Sequence, residues 1–259
     1  MTLEVFSFKG ATAAHRPALL FIHGAFHGAW CWAEHFLPWF AARGWDAHAL
    51  SLRGHARTDD PDYELRATLS DYTCDVLSVT KALGRPVVLI GHSMGGVIAQ
   101  RCLGQKADIA GAALVASSPL RPALSVVLRI LATHPVSFVR AQAFGDFRAR
   151  RRAMSSFFFD RDLDHEARAR YVSLLTAEAS TNEVFTRAPP THEPSDYRPV
   201  LVVAGKDDWT IPMRDHKALR DAYRAQLVVC PGAHDLMLSL KWEETAKAVS
   251  TWLVREFDR

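Results

Sequence analysis

The run Val87-Val88-Leu89-Ile90-Gly91-His92-Ser93-Met94-Gly95-Gly96-Val97 constrains this chain more than any other stretch. A short apolar strand enters a G-x-S-x-G turn, and Val97–Leu103 then reads as a helical segment. Strand, tight turn and helix in that order lift a serine to the apex of a sharp bend, with its hydroxyl exposed. The glycines have a steric reason. Side chains at Gly91 and Gly95 would collide with the adjoining strand and helix. The helix start also turns its N–H groups and partial positive charge toward the bend, where an oxyanion would develop. A bare G-x-S-x-G is compatible with an ordinary strand-to-helix loop, but the flanks on both sides make Ser93 the candidate nucleophile.

Around this turn, short apolar runs alternate with amphipathic segments, the pattern of a mainly parallel sheet covered by helices. Buried strands are expected at Ala18–Ile22, Asp46–Leu50, Val87–Ile90, Gly111–Val115, Val200–Ala204 and Gln226–Cys230, with an edge hairpin strand near Leu3–Phe8 before them. Leu69, Tyr72, Val76, Val79 and Leu83 step by three and four, as one helix face does. Trp242, Ala246, Val249 and Leu253 repeat the pattern and predict a closing helix on the sheet. Between Pro119 and Pro199 the alternation stops and Leu, Phe, Ala and Arg dominate at helical spacing, until Pro189, Pro190, Pro194 and Pro199 mark the return to the sheet. The expected organisation is a core of residues 1–118 and 199–259 with a helical cap, 119–198, inserted in it.

Composition narrows the function classes. The 31 basic and 28 acidic residues give a net charge of only +3 and are mostly scattered, which argues against a nucleic-acid-binding face. The one dense cluster, Arg148 with Arg150, Arg151 and Arg152, reads as a solvated helix face or loop. The first residues lack a basic start followed by an apolar run, and no stretch nears the roughly 18 apolar residues of a membrane span. Cys31, Cys74, Cys102 and Cys230 are far apart and form no C-x-x-C pair, so reduced thiols in a cytoplasmic protein are expected. No metal or organic cofactor is called for.

A serine hydroxyl needs a histidine to take its proton and a carboxylate to orient that histidine. Two loops offer them, each just past a strand's C-terminal end, where open α/β sheets hold their sites. Gly205-Lys206-Asp207-Asp208-Trp209 supplies two adjacent aspartates, and Pro231-Gly232-Ala233-His234-Asp235 supplies the histidine. Asp235 itself reads as a helix N-cap or a salt-bridge partner. A third loop, His23-Gly24-Ala25-Phe26-His27-Gly28-Ala29-Trp30, follows the strand Ala18–Ile22. Its Ala25 N–H, with that of Met94, would form a two-donor oxyanion hole. His23 reads as a brace for the loop, and His27 and Trp30 as pocket wall or packing.

On these residues the chain resembles the α/β-hydrolase superfamily over nearly everything outside the cap. The resemblance implies an α/β-hydrolase fold, makes Asp208 rather than Asp207 the acid in the G-x-x-D turn, and places the oxyanion donors at Ala25 and Met94. The opening HGAFHGAWCW is similar to the plant methylesterase and hydroxynitrile-lyase branch, which carries an HGxxHGxW stretch. Two departures matter. Ser51-Leu52-Arg53-Gly54-His55-Ala56 stands where the family often has D-x-R-G-H-G. The lyases use a threonine in the first loop and a lysine after the histidine, where this chain has Ala25 and Asp235, so cyanohydrin cleavage is not expected. Ser93 likewise argues against family members that attack with aspartate.

The expected activity is hydrolysis of a small-to-medium carboxylic ester through an acyl-enzyme, with Ser93, Asp208 and His234 as the triad. Lactone, thioester, amide or C–C bond hydrolysis on the same residues is the alternative, and a non-catalytic ligand-binding protein of the same fold is the second. The cap stretch brings Leu124, Val127, Leu128, Leu131, Phe138, Phe144, Phe147 and Phe157-Phe158-Phe159, enough apolar surface for a cap core and an acyl pocket. Phe26, Trp30, Phe144, Phe158 and Trp209 are the candidate substrate contacts. The partner is a small molecule, and sequence leaves monomer and homodimer open.

Overall fold

The computed structural model describes residues 2–11, 15–56, 67–105, 107–118, 132, 157–176 and 198–258. The strands are β1 (Val5–Phe8), β2 (Ala18–Ile22), β3 (Ala47–Leu50), β4 (Val87–His92), β5 (Ile109–Val115), β6 (Val200–Gly205) and β7 (Gln226–Cys230). They form one sheet in the order β1-β3-β2-β4-β5-β6-β7. Every neighbouring pair is parallel except β1 with β3. The helices are α1 (Trp30–Ala33), α2 (Phe36–Ala41), α3 (Leu69–Leu83), α4 (Met94–Leu103), α5 (His165–Leu174), α6 (Met213–Tyr223) and α7 (Trp242–Phe257).

Two apolar layers explain why the inner strands read as unbroken hydrophobic runs. Leu19, Phe21, Val88, Ile90, Leu201 and Val203 pack on one face with residues of α1, α2 and α7. The alternate residues Leu20, Ile22, Leu89, Leu114 and Val202 pack on the other with α3 and α4. A strand buried on both faces has no polar side to show. The stepped residues of α3 lie on its buried face. A capping box opens that helix, the Thr68 hydroxyl accepting from Asp71 N–H while the Asp71 carboxylate accepts from Thr68 N–H, and Gly84 closes it in the left-handed region.

The structure corrects two expectations. The first strand is an edge strand, but it pairs antiparallel with β3 rather than forming a hairpin with the strand that follows it. Strand β7 was expected to be buried, yet Val229 is 50% exposed. As the last strand of the sheet it is bonded on one side only, so its apolar run is half covered. At the serine turn the boundaries also move. Strand β4 continues through Gly91 and His92, paired to Leu114 and Val115, and α4 begins at Met94 directly after Ser93.

Of the stretch 119–198 expected to form a cap, residues 157–176 carry α5 and no strand. Phe144 and the other apolar positions from Leu124 to Phe147, with the arginine cluster at 148–152, lie outside the described residues. Asp164 caps α5, its carboxylate accepting from Glu166 and Ala167 N–H. Helix α5 docks on the loop after β2. Tyr171 stacks on Trp30 at 6.1 Å, Arg170 pairs with Glu34, and Thr176 N–H donates to the Phe26 carbonyl at 2.8 Å. No helix among the described residues is long and apolar enough to cross a membrane.

Candidate active site

Because β2, β4, β6 and β7 run parallel, the loops after them leave the sheet at one edge. That shared edge brings together residues far apart in sequence. Ser93 sits between β4 and α4 at φ 50°, ψ −114°, a backbone region that costs a non-glycine residue about 1–3 kcal/mol. Its surroundings hold it there. A Cβ on Gly91 would lie 2.4 Å from the Gly95 carbonyl oxygen, and one on Gly95 would lie 2.3 Å from that of Ile22. These are backbone atoms, so α4 rests directly on β2 and β4. Gly95→Ala is therefore expected to destabilise the fold by about 1–3 kcal/mol. At roughly 2–4 °C per kcal/mol for a chain of this size, a melt should show a fall of several degrees; an unchanged melt would mean the helix does not press on the strand.

Asp208 has a specified orientation. Its Oδ1 accepts from Thr210 N–H at 2.8 Å and Ile211 N–H at 3.1 Å, which leaves Oδ2 facing His234 Nδ1 at 2.9 Å. Both side chains of that pair are buried. Asp207 is exposed, its backbone N–H bonded to the Gly232 carbonyl, so geometry separates the two adjacent aspartates. With Nδ1–H donating to Asp208, Nε2 is the basic nitrogen of His234. Burial disfavours the imidazolium, but the charge and hydrogen bond of Asp208 and the charge of Asp235 outweigh it, raising the His234 pKa above that of an ordinary histidine.

His234 is tied to the serine turn through His92. The His92 Nε2–H donates to the His234 carbonyl at 3.1 Å, and the two rings lie 4.8 Å apart. Burial, then the nearby His234, pulls the His92 pKa down to about 3, so its ring is a neutral donor. Among the described residues the Ser93 hydroxyl itself makes no hydrogen bond to His234.

The loop after β2 abuts the turn. A Cβ on Gly24 would lie 2.7 Å from His92 Nδ1 and 3.1 Å from Ser93 Cβ, so Ala25 follows directly on that contact. Met94 is the first residue of α4. His23 braces the loop as expected, accepting from Leu52 N–H at 3.0 Å while its Nδ1–H donates to the Gly24 carbonyl. Phe26 stands at φ 71°, a second strained non-glycine position beside the turn.

Phe158 stacks on His234 at 5.8 Å and lies 6.4 Å from the Phe26 ring. Trp30 is sandwiched between His27 and Tyr171. Trp209 meets Phe157 edge-on at 4.3 Å. With Phe157, Phe159, Asp160, Gly232 and Ala233 it lines a cavity of about 1140 Å³ beside the Asp208 and His234 loops, whose described walls include neither Ser93 nor His234.

Sequence reasoning passed over several residues around the histidine. The Asp160 carboxylate accepts from Ala233 N–H, Ser239 Oγ–H and Leu240 N–H, and the Phe158 carbonyl accepts from Asp235 N–H. The segment 157–160 thus straps down the loop that carries His234. The three phenylalanines stand out in the sequence as apolar cap or pocket residues, but nothing there marks Asp160 as the anchor of this strap. Asp235 takes the second of its two expected roles: it pairs with His27 and does not cap a helix, and the N-cap position of α7 is Lys241, whose side chain makes no capping bond. Among the described residues, His92, His234 and Asp235 have potential metal-binding atoms within 4.8 Å of one another. Each side chain is engaged elsewhere: His92 Nε2 with the His234 backbone carbonyl, Asp235 Oδ2 with His27 and His234 Nδ1 with Asp208.

Comparison with known proteins agrees with this architecture. Residues 19–248 match the model of the Alpha/beta hydrolase family. Norfluorocurarine synthase 1 from a Strychnos species is 33% identical over 94 residues, 34% of this chain and 33% of that protein. Salicylic acid-binding protein 2 of Nicotiana tabacum is 37% identical over 78 residues, 29% of each chain. The matches thus span about a third of these plant relatives' lengths, and they fit the plant branch that the first loop resembles. The enol-lactonase from Burkholderia xenovorans LB400 shares the fold, with a TM-score of 0.79 at 20% identity over 97% of this chain and 96% of that one. With the family match running from the first inner strand to the closing helix, this chain belongs to the alpha/beta hydrolase family.

Proposed function

We propose that the protein is a serine hydrolase that cleaves a small-to-medium carboxylic ester through an acyl-enzyme. The observation that carries the reading is the buried Asp208–His234 bond at 2.9 Å, on the sheet edge where Ser93 is held at positive φ. Ser93 Oγ attacks the ester carbonyl as its proton passes to His234 Nε2. The carbonyl oxygen, now an anion, accepts from the N–H groups of Ala25 and Met94, each worth on the order of 3 kcal/mol of transition-state stabilisation. The imidazolium, steadied by Asp208, returns the proton to the departing alcohol. A water activated by the same histidine then cleaves the acyl-enzyme and restores Ser93.

Phe158, beside the histidine and in contact with Phe26, forms an apolar wall for the acyl group, and Trp30 and Trp209 are the further candidate contacts. Residues 119–198 complete the site as a helical cap inserted between β5 and β6, and Phe144 belongs to it. Lactone, thioester, amide and C–C substrates require the same residues, and the lactonase neighbour makes lactones the first alternative to test. A panel of short p-nitrophenyl esters, lactones and amides tests the reading. The highest kcat/KM is expected on an ester. Binding without turnover across the panel would favour a ligand-binding protein of this fold.

The pH dependence follows from the raised pKa of His234. The base works only when neutral, so kcat/KM should fall as pH is lowered through that pKa, with a midpoint above that of an ordinary histidine. A pH series on p-nitrophenyl acetate measures it; activity undiminished well below pH ~6.5 would contradict a histidine base of this kind.

A further inference from the structure

One buried contact joins two of the active-site loops and has no part in the scheme above. His27, from the loop after β2, points its ring nitrogens at two acceptors. Nδ1 lies 2.8 Å from the Ala25 carbonyl oxygen, and Nε2 lies 2.9 Å from Asp235 Oδ2. Asp235 follows His234 in the chain, and both side chains of the pair are almost wholly buried. Its other oxygen stands 3.5 Å from His92 Nε2. A carbonyl oxygen only accepts, an ionised carboxylate only accepts, and a neutral imidazole carries a single N–H. Both bonds therefore need a proton on each ring nitrogen facing a carboxylate, or that second proton on Asp235. Burial pushes the Asp235 carboxyl upward, but the charge and hydrogen bond of His27, with His92 and His234 behind it, hold it below the usual range. The remaining titratable neighbour is Cys31 in α1, whose thiol burial and then Asp235 push far up and keep neutral.

We infer that His27 and Asp235 are positioning residues, a buried imidazolium–carboxylate pair that locks the loop carrying Ala25 to the loop carrying His234. The bridge ends beside working groups on both sides. At one end it pins the Ala25 carbonyl, in the peptide unit that leads into the strained Phe26. At the other it holds the residue next to His234. Breaking a contact of this kind lets the oxyanion donor and the general base drift apart, and displacements on the scale of an ångström cost large factors in rate. A buried ion pair is a poor device for stability alone, because desolvation offsets its attraction. The kinetic consequence rests on the serine-hydrolase reading; the existence of the pair does not.

Two substitutions separate the bridge from its charge. Asp235→Ala removes the bridge and leaves a neutral His27, so no unpaired charge is buried. Asp235→Asn keeps both bonds, because the amide donates to Nε2 of a neutral His27 whose Nδ1–H still reaches Ala25. For p-nitrophenyl acetate, Asp235→Ala is expected to lower kcat by about tenfold or more with little change in KM. Asp235→Asn should recover most of that loss. His234 is faced by Asp208, Asp235, His92 and His216. With the Asp235 charge gone, the acid limb of kcat/KM should move to lower pH. Wild-type kcat in Asp235→Ala, or an Asp235→Asn variant as impaired as the alanine one, would overturn the inference. Histidine-ring ¹⁵N NMR reads the pair without turnover. One buried ring protonated on both nitrogens is expected in wild type and should be lost in Asp235→Asn; its absence from wild type would also overturn the inference. A wild type that hydrolyses nothing, yet shows that ring, would sink the serine-hydrolase reading and leave the pair standing.

Discussion

Replacing Ser93 by alanine is expected to lower turnover of p-nitrophenyl acetate by on the order of 10⁴–10⁶-fold, with the fold intact. The size follows from the chemistry. Without the hydroxyl no acyl-enzyme forms, and only the oxyanion donors and binding remain to accelerate direct attack by water. The fold should tolerate the change because the Ser93 contacts that hold the turn are made by its backbone. Its N–H donates to the Val115 carbonyl, and its own carbonyl accepts from Gly96 and Val97 N–H. Alanine keeps all of these. Steady-state kinetics with a parallel thermal melt measures both halves. A variant that keeps a tenth of wild-type activity would point to a different nucleophile.

Asp208→Asn should be the second largest loss, on the order of 10⁴-fold in kcat with KM little altered. The backbone decides how the new amide sits. Thr210 and Ile211 N–H need an acceptor at the Oδ1 position, so the asparagine oxygen takes it and the amide NH₂ faces His234. Nδ1 must then accept, which moves the ring proton to Nε2 and leaves no base toward Ser93. Asp207→Asn, a change at an exposed neighbour, is the control and should lose far less. Equal losses in the two variants would mean that the loop, and not the Asp208 carboxylate, is what the reaction needs.

Local, repeated signals made most of the core legible in the sequence. Runs such as Ala18–Ile22 have no polar alternation because both faces are covered, and Gly91 is required by a backbone contact four residues away, whereas Gly95 is required by the distant Ile22 carbonyl. Pairing was harder to read. The antiparallel partner of β1 is β3, a choice set by where the chain returns, and the half-exposure of β7 follows from its place at the sheet edge. Helices α1 and α2 are too short to show a period. At the site, Asp208 and Asp207 are equivalent by spacing, and only the family turn pattern pointed to Asp208 before the backbone donors did. The bonds from Asp160 to the His234 loop span more than seventy residues and the His27–Asp235 pair spans 208, so neither leaves a pattern in sequence.

The reaction of the purified protein with diisopropyl fluorophosphate, followed by intact-mass and peptide mass spectrometry, tests the relay from Asp208 through His234 to Ser93 most directly. One phosphoryl adduct per chain is expected, carried on the peptide containing Ser93, absent in Ser93→Ala and formed far more slowly in His234→Ala. A wild-type protein left unlabelled, or labelled at another residue, would contradict it.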